Sequence, residues 1–129
     1  MKIFRNKKGQ SIVEAALILP VLLMILLMIF EIGRIFNADL IITQASREGA
    51  RKAIVGADDT EIANVISSAA STLAQDTMFI VITPRKDDRY PGDAVTVEVQ
   101  YKVKLYTPII SSMITNPFPI SSKTVMRYE

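Results

Sequence analysis

The stretch "GQSIVEAALILPVLLMILLMIF", residues 9–30, holds a single charge inside a long apolar run. From Ser11 to Phe30 the run is long enough to cross a hydrocarbon core of about 30 Å as one helix. The charge belongs to Glu14, and an unpaired carboxylate at such a depth is costly. The run therefore predicts a membrane helix, and the glutamate requires a separate explanation.

The basic residues are concentrated before this run. Four of them precede Gly9 and more than account for the formal net charge of +2. They are Lys2, Arg5, Lys7 and Lys8. By the positive-inside rule, they predict a cytoplasmic N-terminus and a remaining chain that lies outside. Because the basicity belongs to this leader, it predicts no nucleic-acid partner.

Three interpretations compete for the N-terminal segment. A secretory signal has a shorter apolar region followed by small residues at a cleavage site, and "FEIGRIFNA" offers no convincing site of this kind. A plain membrane anchor explains the length and the orientation but leaves Glu14 unexplained. The third interpretation explains both, because a basic leader, Gly9, a five-residue step to Glu14 and an apolar helix resemble a type IV prepilin signal.

This resemblance implies processing and a role for the carboxylate. In such proteins a membrane-embedded peptidase cuts after the glycine, so Gly9 would end the leader and Gln10 would become the new N-terminus. Glu14 would then pair with the amine of Gln10 on a neighbouring subunit and select one axial register in a filament. The alternative is that Glu14 lies near the membrane surface and extends its carboxylate to water.

Further motifs continue the pattern. The segment "SIVEAALILP" is followed by "FEIGRIFNA" and "ITQASREGARKA". The sequence is similar to the TadE-like pseudopilins of tight-adherence (Tad) pili, in which V-E-x-A-L-x-L-P precedes E-x-G-R and A-x-R-E-G-A-R. Ala15 departs from the aromatic residue that many relatives carry there. The later motif residues are Glu31, Gly33, Arg34, Arg47, Glu48, Gly49, Ala50 and Arg51.

One helix of about 45 residues is predicted from Gln10 to Val55, with a kink or local melting at Pro20. Beyond the membrane, small and apolar residues form one stripe at steps of three and four. They are Ile35, Ala38, Ile42, Ala45, Gly49 and Ala53. Packing against the chain's own sheet is the favoured role of the stripe, and an intersubunit contact is the alternative. We expect the pairs Glu31–Arg34 and Glu48–Arg51 to be solvated.

The remaining chain predicts a small mixed domain. Gly56 ends the long helix, and Asp58 with Glu61 begins a second helix that reaches residue 75. Residues 79–83 predict a buried strand, the alternation over residues 95–105 a long antiparallel strand, and residues 120–128 a last strand. Between these, Thr107 caps a short helix that has Pro108 at its first position. The predicted fold is α+β and pilin-like, with a long N-terminal helix, half transmembrane and half amphipathic, packed with a second helix and a small antiparallel sheet.

The composition argues against an enzyme. Cysteine and histidine are absent, which excludes disulfides, thiol catalysis and the commonest transition-metal ligands. No nucleophile with a neighbouring base and no phosphate-binding glycine loop is recognisable, so we expect neither catalysis nor a cofactor. The carboxylates of the 85–93 loop offer oxygen ligands for calcium, but interspersed basic residues favour an ordinary solvated loop.

These observations predict three segments: a leader at 1–9 that is removed, a transmembrane and assembly helix at 10–30, and an extracytoplasmic domain at 31–129. The favoured function is a structural subunit of a Tad-type pilus, with a prepilin peptidase, other pilins, the Tad assembly machinery and membrane lipid as partners. The alternative is a membrane-anchored binding module that never polymerises and acts in adhesion or envelope organisation. The mass of the mature protein separates the two.

Overall fold

The computed structural model describes residues 7–129, so Lys2, Arg5 and most of the predicted leader lie outside the described residues. In chain order it contains α1 (Lys7–Ile54), α2 (Asp59–Ala69), β1 (Met78–Thr83), β2 (Ala94–Val103), α3 (Pro108–Met113) and β3 (Phe118–Arg127). Short 3-10 turns occupy Gln75–Thr77 and Lys86–Asp88. The long apolar helix, a second helix and a three-stranded antiparallel sheet confirm the predicted α+β, pilin-like fold.

The helix α1 dominates the molecule. Its 48 residues correspond to about 72 Å at 1.5 Å per residue. The helix continues through Pro20, so the predicted local melting does not occur there, while a bend at Pro20 stays a prediction. The outer half of α1 packs against α2, β2 and β3. The N-terminal half of α1 is therefore an exposed apolar helix, and its outer half is part of the domain core.

The turn after α1 follows the predicted chemistry. Gly56 has a φ of +87°, the left-handed conformation that glycine adopts most easily at a helix end. The Asp58 carboxylate accepts a hydrogen bond from the Glu61 N–H at 2.7 Å and caps α2. Helix α2 ends at Ala69, before the predicted residue 75. Beyond this end the side-chain amide of Gln75 donates to the carbonyl oxygens of Ala70 and Leu73, at 2.9 and 3.1 Å.

The sheet has the order β1-β2-β3, and both pairs are antiparallel. In the central strand β2, Val95, Val97 and Val99 are fully buried, which confirms the predicted alternation. The last strand β3 begins at Phe118, two residues earlier than predicted, and pairs with β2 along its whole length.

The prediction of a fully buried strand at residues 79–83 is wrong. Strand β1 lies at an edge of the sheet, and its exposure alternates along its length. Phe79 is 51% exposed and Val81 46%. A continuous apolar run therefore does not prove burial on both faces, because one face of β1 is not covered by another element within residues 7–129.

The core forms where small residues of α1 meet α2 and β2. A Cβ atom added at Gly49 would lie 2.6 Å from Cδ1 of Ile66 and 3.3 Å from Cγ1 of Val97. The small-residue stripe thus packs within the chain, as favoured above. The central buried residues are Ile42, Ala45, Ala50, Ala53, Ile62, Ile66, Val95, Val97 and Val99.

The 85–93 loop is held by a buried arginine rather than being fully solvated. Arg89 is only 7% exposed and forms an ion pair with Asp59 at the start of α2. Its guanidinium also donates to the carbonyl oxygens of Ala57 and Pro84, both at 3.0 Å. Within residues 7–129, no group of three or more acidic side chains is arranged to hold a metal ion.

Candidate functional site

The N-terminal half of α1 is one part of the candidate site. By length and composition α1 can cross a membrane, with a mean hydropathy of 2.9 over its most apolar 18 residues. None of that window is buried within the chain. Large side chains such as Leu17, Ile25 and Phe30 are exposed around the helix, so this segment needs an apolar environment from outside.

The predicted cleavage and pairing residues lie in the first turns of this helix. A Cβ atom added at Gly9 would meet no other atom within 4 Å. The side-chain amide of Gln10 donates to Oε1 of Glu14 at 3.2 Å, one turn further along. Glu14 is exposed, and Gln10 is a neutral partner for it. In a single chain α1 thus presents the Glu14 carboxylate to its surroundings.

Glu31 marks the second part of the site, where α1 leaves its apolar run. The residue is only 2% exposed, so the expectation of a solvated pair with Arg34 is wrong. Oε1 accepts from Arg34 Nη1 at 2.6 Å. Oε2 accepts from the N–H groups of Tyr106 and Thr107 and from the Thr107 hydroxyl, at 3.1, 3.2 and 3.1 Å. Four donors therefore compensate for the burial of one carboxylate.

The partners of Glu31 have further roles. Arg34 also donates to the Lys104 carbonyl at 3.3 Å, and its guanidinium carbon lies 4.7 Å from the centre of the Tyr106 ring. Thr107 is the N-cap residue of α3, but its side chain makes no capping hydrogen bond, and its hydroxyl instead donates to Glu31. Pro108 begins α3 as predicted. Glu31 thereby joins α1 to the segment that links β2 with α3.

The sequence contained a signal for this arrangement. Glu31 precedes Ile35 by four residues, and so it falls at the start of the same stripe that buries Ala38 and Ile42. A charge on a buried stripe indicates a specific partner. Tyr106 and Thr107 were not recognised as those partners because they lie 75 and 76 residues away in the chain.

The A-x-R-E-G-A-R motif is divided between the core and the surface. Gly49 and Ala50 are buried, whereas Arg47, Glu48 and Arg51 are exposed. Glu48 accepts from the side chain of Gln44 at 3.4 Å, and within residues 7–129 it forms no ion pair with Arg51, contrary to expectation. The motif thus combines an internal packing position with an exposed charged face.

The structure does not bring all of the predicted residues together. Gly33 is exposed, with open space where a Cβ would lie. Glu14 and Glu31 are separated by 17 residues of one helix, which is about 26 Å at 1.5 Å per residue. The candidate site therefore has two separate parts, an exposed assembly segment around Glu14 and a buried junction at Glu31.

Residues 9–51 match the family model described as TadE-like protein. The matched segment contains Gly9, Glu14 and both later motifs, and it confirms the resemblance drawn from those residues. The match supports a role related to Tad pili and to other pilus components in general. No curated protein and no solved structure matches the chain.

Proposed function

We propose that this chain is a structural and assembly subunit: a TadE-like pseudopilin that a prepilin peptidase processes after Gly9 and that acts in Tad-type pilus biogenesis and adherence. The observation that carries the proposal is an exposed apolar helix with Glu14 near its start, within a segment that matches the TadE-like family. The proposal includes no catalytic activity and no cofactor. The N-terminus lies in the cytoplasm and the domain outside.

The exposed half of α1 supports this role because it needs two successive environments. Before assembly, membrane lipid covers its apolar side chains. After extraction, apolar helices of neighbouring pilin and pseudopilin subunits replace the lipid. A helix that only anchored the domain would need the first environment alone, and it would gain nothing from a carboxylate at Glu14.

Processing after Gly9 fits the position of that residue. Gly9 lies near the N-terminal end of the described part of α1, where it is exposed and has open space around its Cβ position. Glycine also costs a helix about 1 kcal/mol relative to alanine. Unwinding one turn therefore exposes the bond between Gly9 and Gln10 to a peptidase without disturbing the domain.

Intact-mass measurement tests the processing step. The chain is expressed with an active prepilin peptidase, and its mass is compared with those of Gly9→Leu and a matched control, Gly33→Leu, which changes another exposed glycine of α1. We expect the parent and the control to lose residues 1–9 and Gly9→Leu to keep them. Cleavage of Gly9→Leu contradicts the assigned site. An uncleaved parent favours the membrane-anchored binding module instead.

A further inference from the structure

The segment between β2 and β3 forms a small lobe, residues 106–115, which we call the α3 lobe because it contains that helix. Its base is closed by two hydrogen bonds between the Leu105 backbone and the Asn116 side chain, at 3.1 and 3.2 Å. Its first two N–H groups donate to Glu31 on α1. The α3 lobe is therefore fixed at the level of Glu31 along the long helix.

That level is the outer end of the apolar run. Leu27 and Phe30 of α1 line a shallow depression of about 280 Å³ together with Tyr106 and Pro108 of the α3 lobe. Leu27 lies one turn before Glu31, inside the segment proposed to cross the membrane. Under the proposed insertion of α1, Tyr106 and Pro108 therefore lie beside its last membrane turn.

The surface of the α3 lobe has the composition of a membrane-interface segment. No charged residue lies between Lys104 and Lys123 in the chain. Tyr106 is 67% exposed, Met113 76% and Ile114 39%. Tyrosine favours the region between the hydrocarbon core and water, and exposed apolar groups gain free energy when they enter it.

Cationic side chains border this apolar surface beside Tyr106. The guanidinium carbon of Arg34 lies 4.7 Å and Nζ of Lys104 5.7 Å from the centre of the Tyr106 ring. The nearby carboxylate of Glu31 is buried and fully engaged by its four donors, so it exposes no acidic surface to lipid. Anionic lipid phosphates attract basic side chains at this depth.

From this arrangement we propose that the α3 lobe is a second membrane-contact site, with anionic phospholipid headgroups as its ligand. Tyr106, Met113 and Ile114 enter the outer interface of the bilayer, and Lys104 meets its phosphates, since Arg34 is already paired with Glu31. The inference rests on the proposed membrane insertion of α1. A second contact restricts tilting of the whole subunit relative to the membrane, so a subunit awaiting assembly stands in one orientation at the membrane surface.

The absence of tryptophan from the sequence allows a direct depth measurement. Tyr106→Trp places one tryptophan in the α3 lobe, and Tyr90→Trp places one in the exposed 85–93 loop, at the other end of β2. A strand of ten residues separates the two ends by about 33 Å. Each full-length variant is reconstituted in phosphatidylcholine vesicles, with or without phosphatidylglycerol, that contain acyl-brominated lipid as quencher.

With phosphatidylglycerol present, we expect bromine to quench about half of the Tyr106→Trp emission and less than about a tenth of the Tyr90→Trp emission. Omitting phosphatidylglycerol, or adding Lys104→Gln, should reduce the Tyr106→Trp quenching about twofold. Equal, weak quenching of both variants in protein that floats with the vesicles overturns the lobe contact and leaves the proposed function intact. Quenching that is strong but independent of phosphatidylglycerol overturns the assignment of an anionic ligand.

Flotation of the vesicles on a density gradient separates the two proposals. Protein that does not float with the vesicles contradicts membrane insertion of α1, and the lobe contact fails with it. Protein that floats, but whose Tyr106→Trp emission is shielded only after subunits assemble, shows that the α3 lobe meets another subunit rather than lipid. That result also overturns the lobe contact.

Discussion

At the scale of single residues, Glu31 illustrates how a buried charge is tolerated. Moving a carboxylate out of water is costly unless charged or polar donors replace the lost hydration. Arg34 supplies a cation on the next turn of α1, and Tyr106 with Thr107 supplies three further hydrogen bonds from the distant end of β2. The carboxylate therefore fixes the position of the β2–α3 connection on α1.

Glu31→Ala removes the acceptor for these donors and leaves the Tyr106 and Thr107 N–H groups without it. We expect a loss of about 2–4 kcal/mol in the free energy of unfolding. Glu31→Gln keeps one acceptor oxygen and should lose less. Urea unfolding of the full chain in detergent micelles, followed by tyrosine fluorescence, measures the stability of both variants.

The control is Glu48→Ala, which replaces an exposed glutamate on the same helix and should change the free energy of unfolding little. Similar stabilities for Glu31→Ala and the control would show that the hydrogen bonds of Glu31 contribute nothing to the stability of the fold.

The two motif glycines of α1 should respond in opposite directions to alanine. At Gly49 the new Cβ would collide with the fully buried side chain of Ile66, so we expect destabilisation by about 1–3 kcal/mol. At Gly33 the space is open, and alanine should stabilise the helix by up to about 1 kcal/mol. The same unfolding assay compares the two variants.

The collision can be tested on its own with a double-mutant cycle. Ile66→Ala removes both Cδ1 and Cγ1, which would lie 2.6 and 2.7 Å from the new methyl group, and by itself it should cost about 2–5 kcal/mol. Combined with Gly49→Ala, it should cost less than the sum of the two changes. Strict additivity would show that Gly49 and Ile66 do not limit each other's volume.

At the scale of elements, the periodicity of apolar residues was sufficient to predict an element and its buried face wherever only one face is buried. The alternation over residues 95–105 predicted β2, because a period of two is preserved along a strand. The small-residue stripe of α1 predicted its packing face for the same reason. The run at residues 79–83 gave no such alternation, since Phe79 and Val81 are apolar on the exposed side of an edge strand. Hydrophobicity therefore identified a strand there but overestimated its burial.

The long-range polar contacts could not be predicted from the sequence. Arg89 pairs with Asp59 across 30 positions of the chain, and Glu31 reaches Thr107 across 76. Arg89 resembles an ordinary surface residue when only its sequence neighbours are considered. The partners of both charges become apparent only when the turn after α1 and the end of β2 are placed in space. Periodicity carries no information about such pairings, although Glu31 did lie on the buried stripe.

Pro20 is the element-scale feature that can be tested in α1. It has no N–H group, so the Ala16 carbonyl lacks its usual donor inside a helix that nonetheless continues. We expect Pro20→Ala to slow amide hydrogen exchange over residues 17–24 by roughly tenfold in micelles, in keeping with about 1.4 kcal/mol of added local stability. Val21→Ala serves as the neighbouring control. Identical exchange in Pro20→Ala and the parent would argue against a weakened or bent helix at this position.

At the scale of the whole molecule, α1 connects the exposed apolar segment to the domain as one continuous helix. Its outer half supplies Ile42, Ala45 and Ala53 to the core, so the domain cannot move along the helix without breaking that core. Extraction of α1 from the bilayer must therefore move the domain by the same distance. Under the proposed function, the axial position of one helix against its neighbour also fixes the position of its domain against the neighbouring domain. A single pairing at Glu14 then sets the position of the whole subunit in the filament.

Glu14→Val tests this control. The apolar variant should insert in the membrane at least as well as the parent, because a charge costs up to about 3 kcal/mol at the bilayer centre on insertion scales. Leader cleavage should persist, since Glu14 lies five residues beyond Gly9. Assembly should fail, because the amine of Gln10 on one subunit loses its partner on the next. Intact mass and recovery in sheared pili measure the two steps separately.

The matched variant Glu14→Asp keeps the charge and shortens its reach by one methylene, so we expect it to be cleaved normally and to be recovered in pili at an intermediate level. Loss of assembly in both variants would mean that the distance to the Gln10 amine matters as much as the charge. If Glu14→Val enters pili as well as the parent does, the pairing with Gln10 is wrong, and Glu14 is a carboxylate that reaches water near the membrane surface. The unchanged fold of the domain in either variant follows from the separation of about 26 Å between Glu14 and the Glu31 junction along α1.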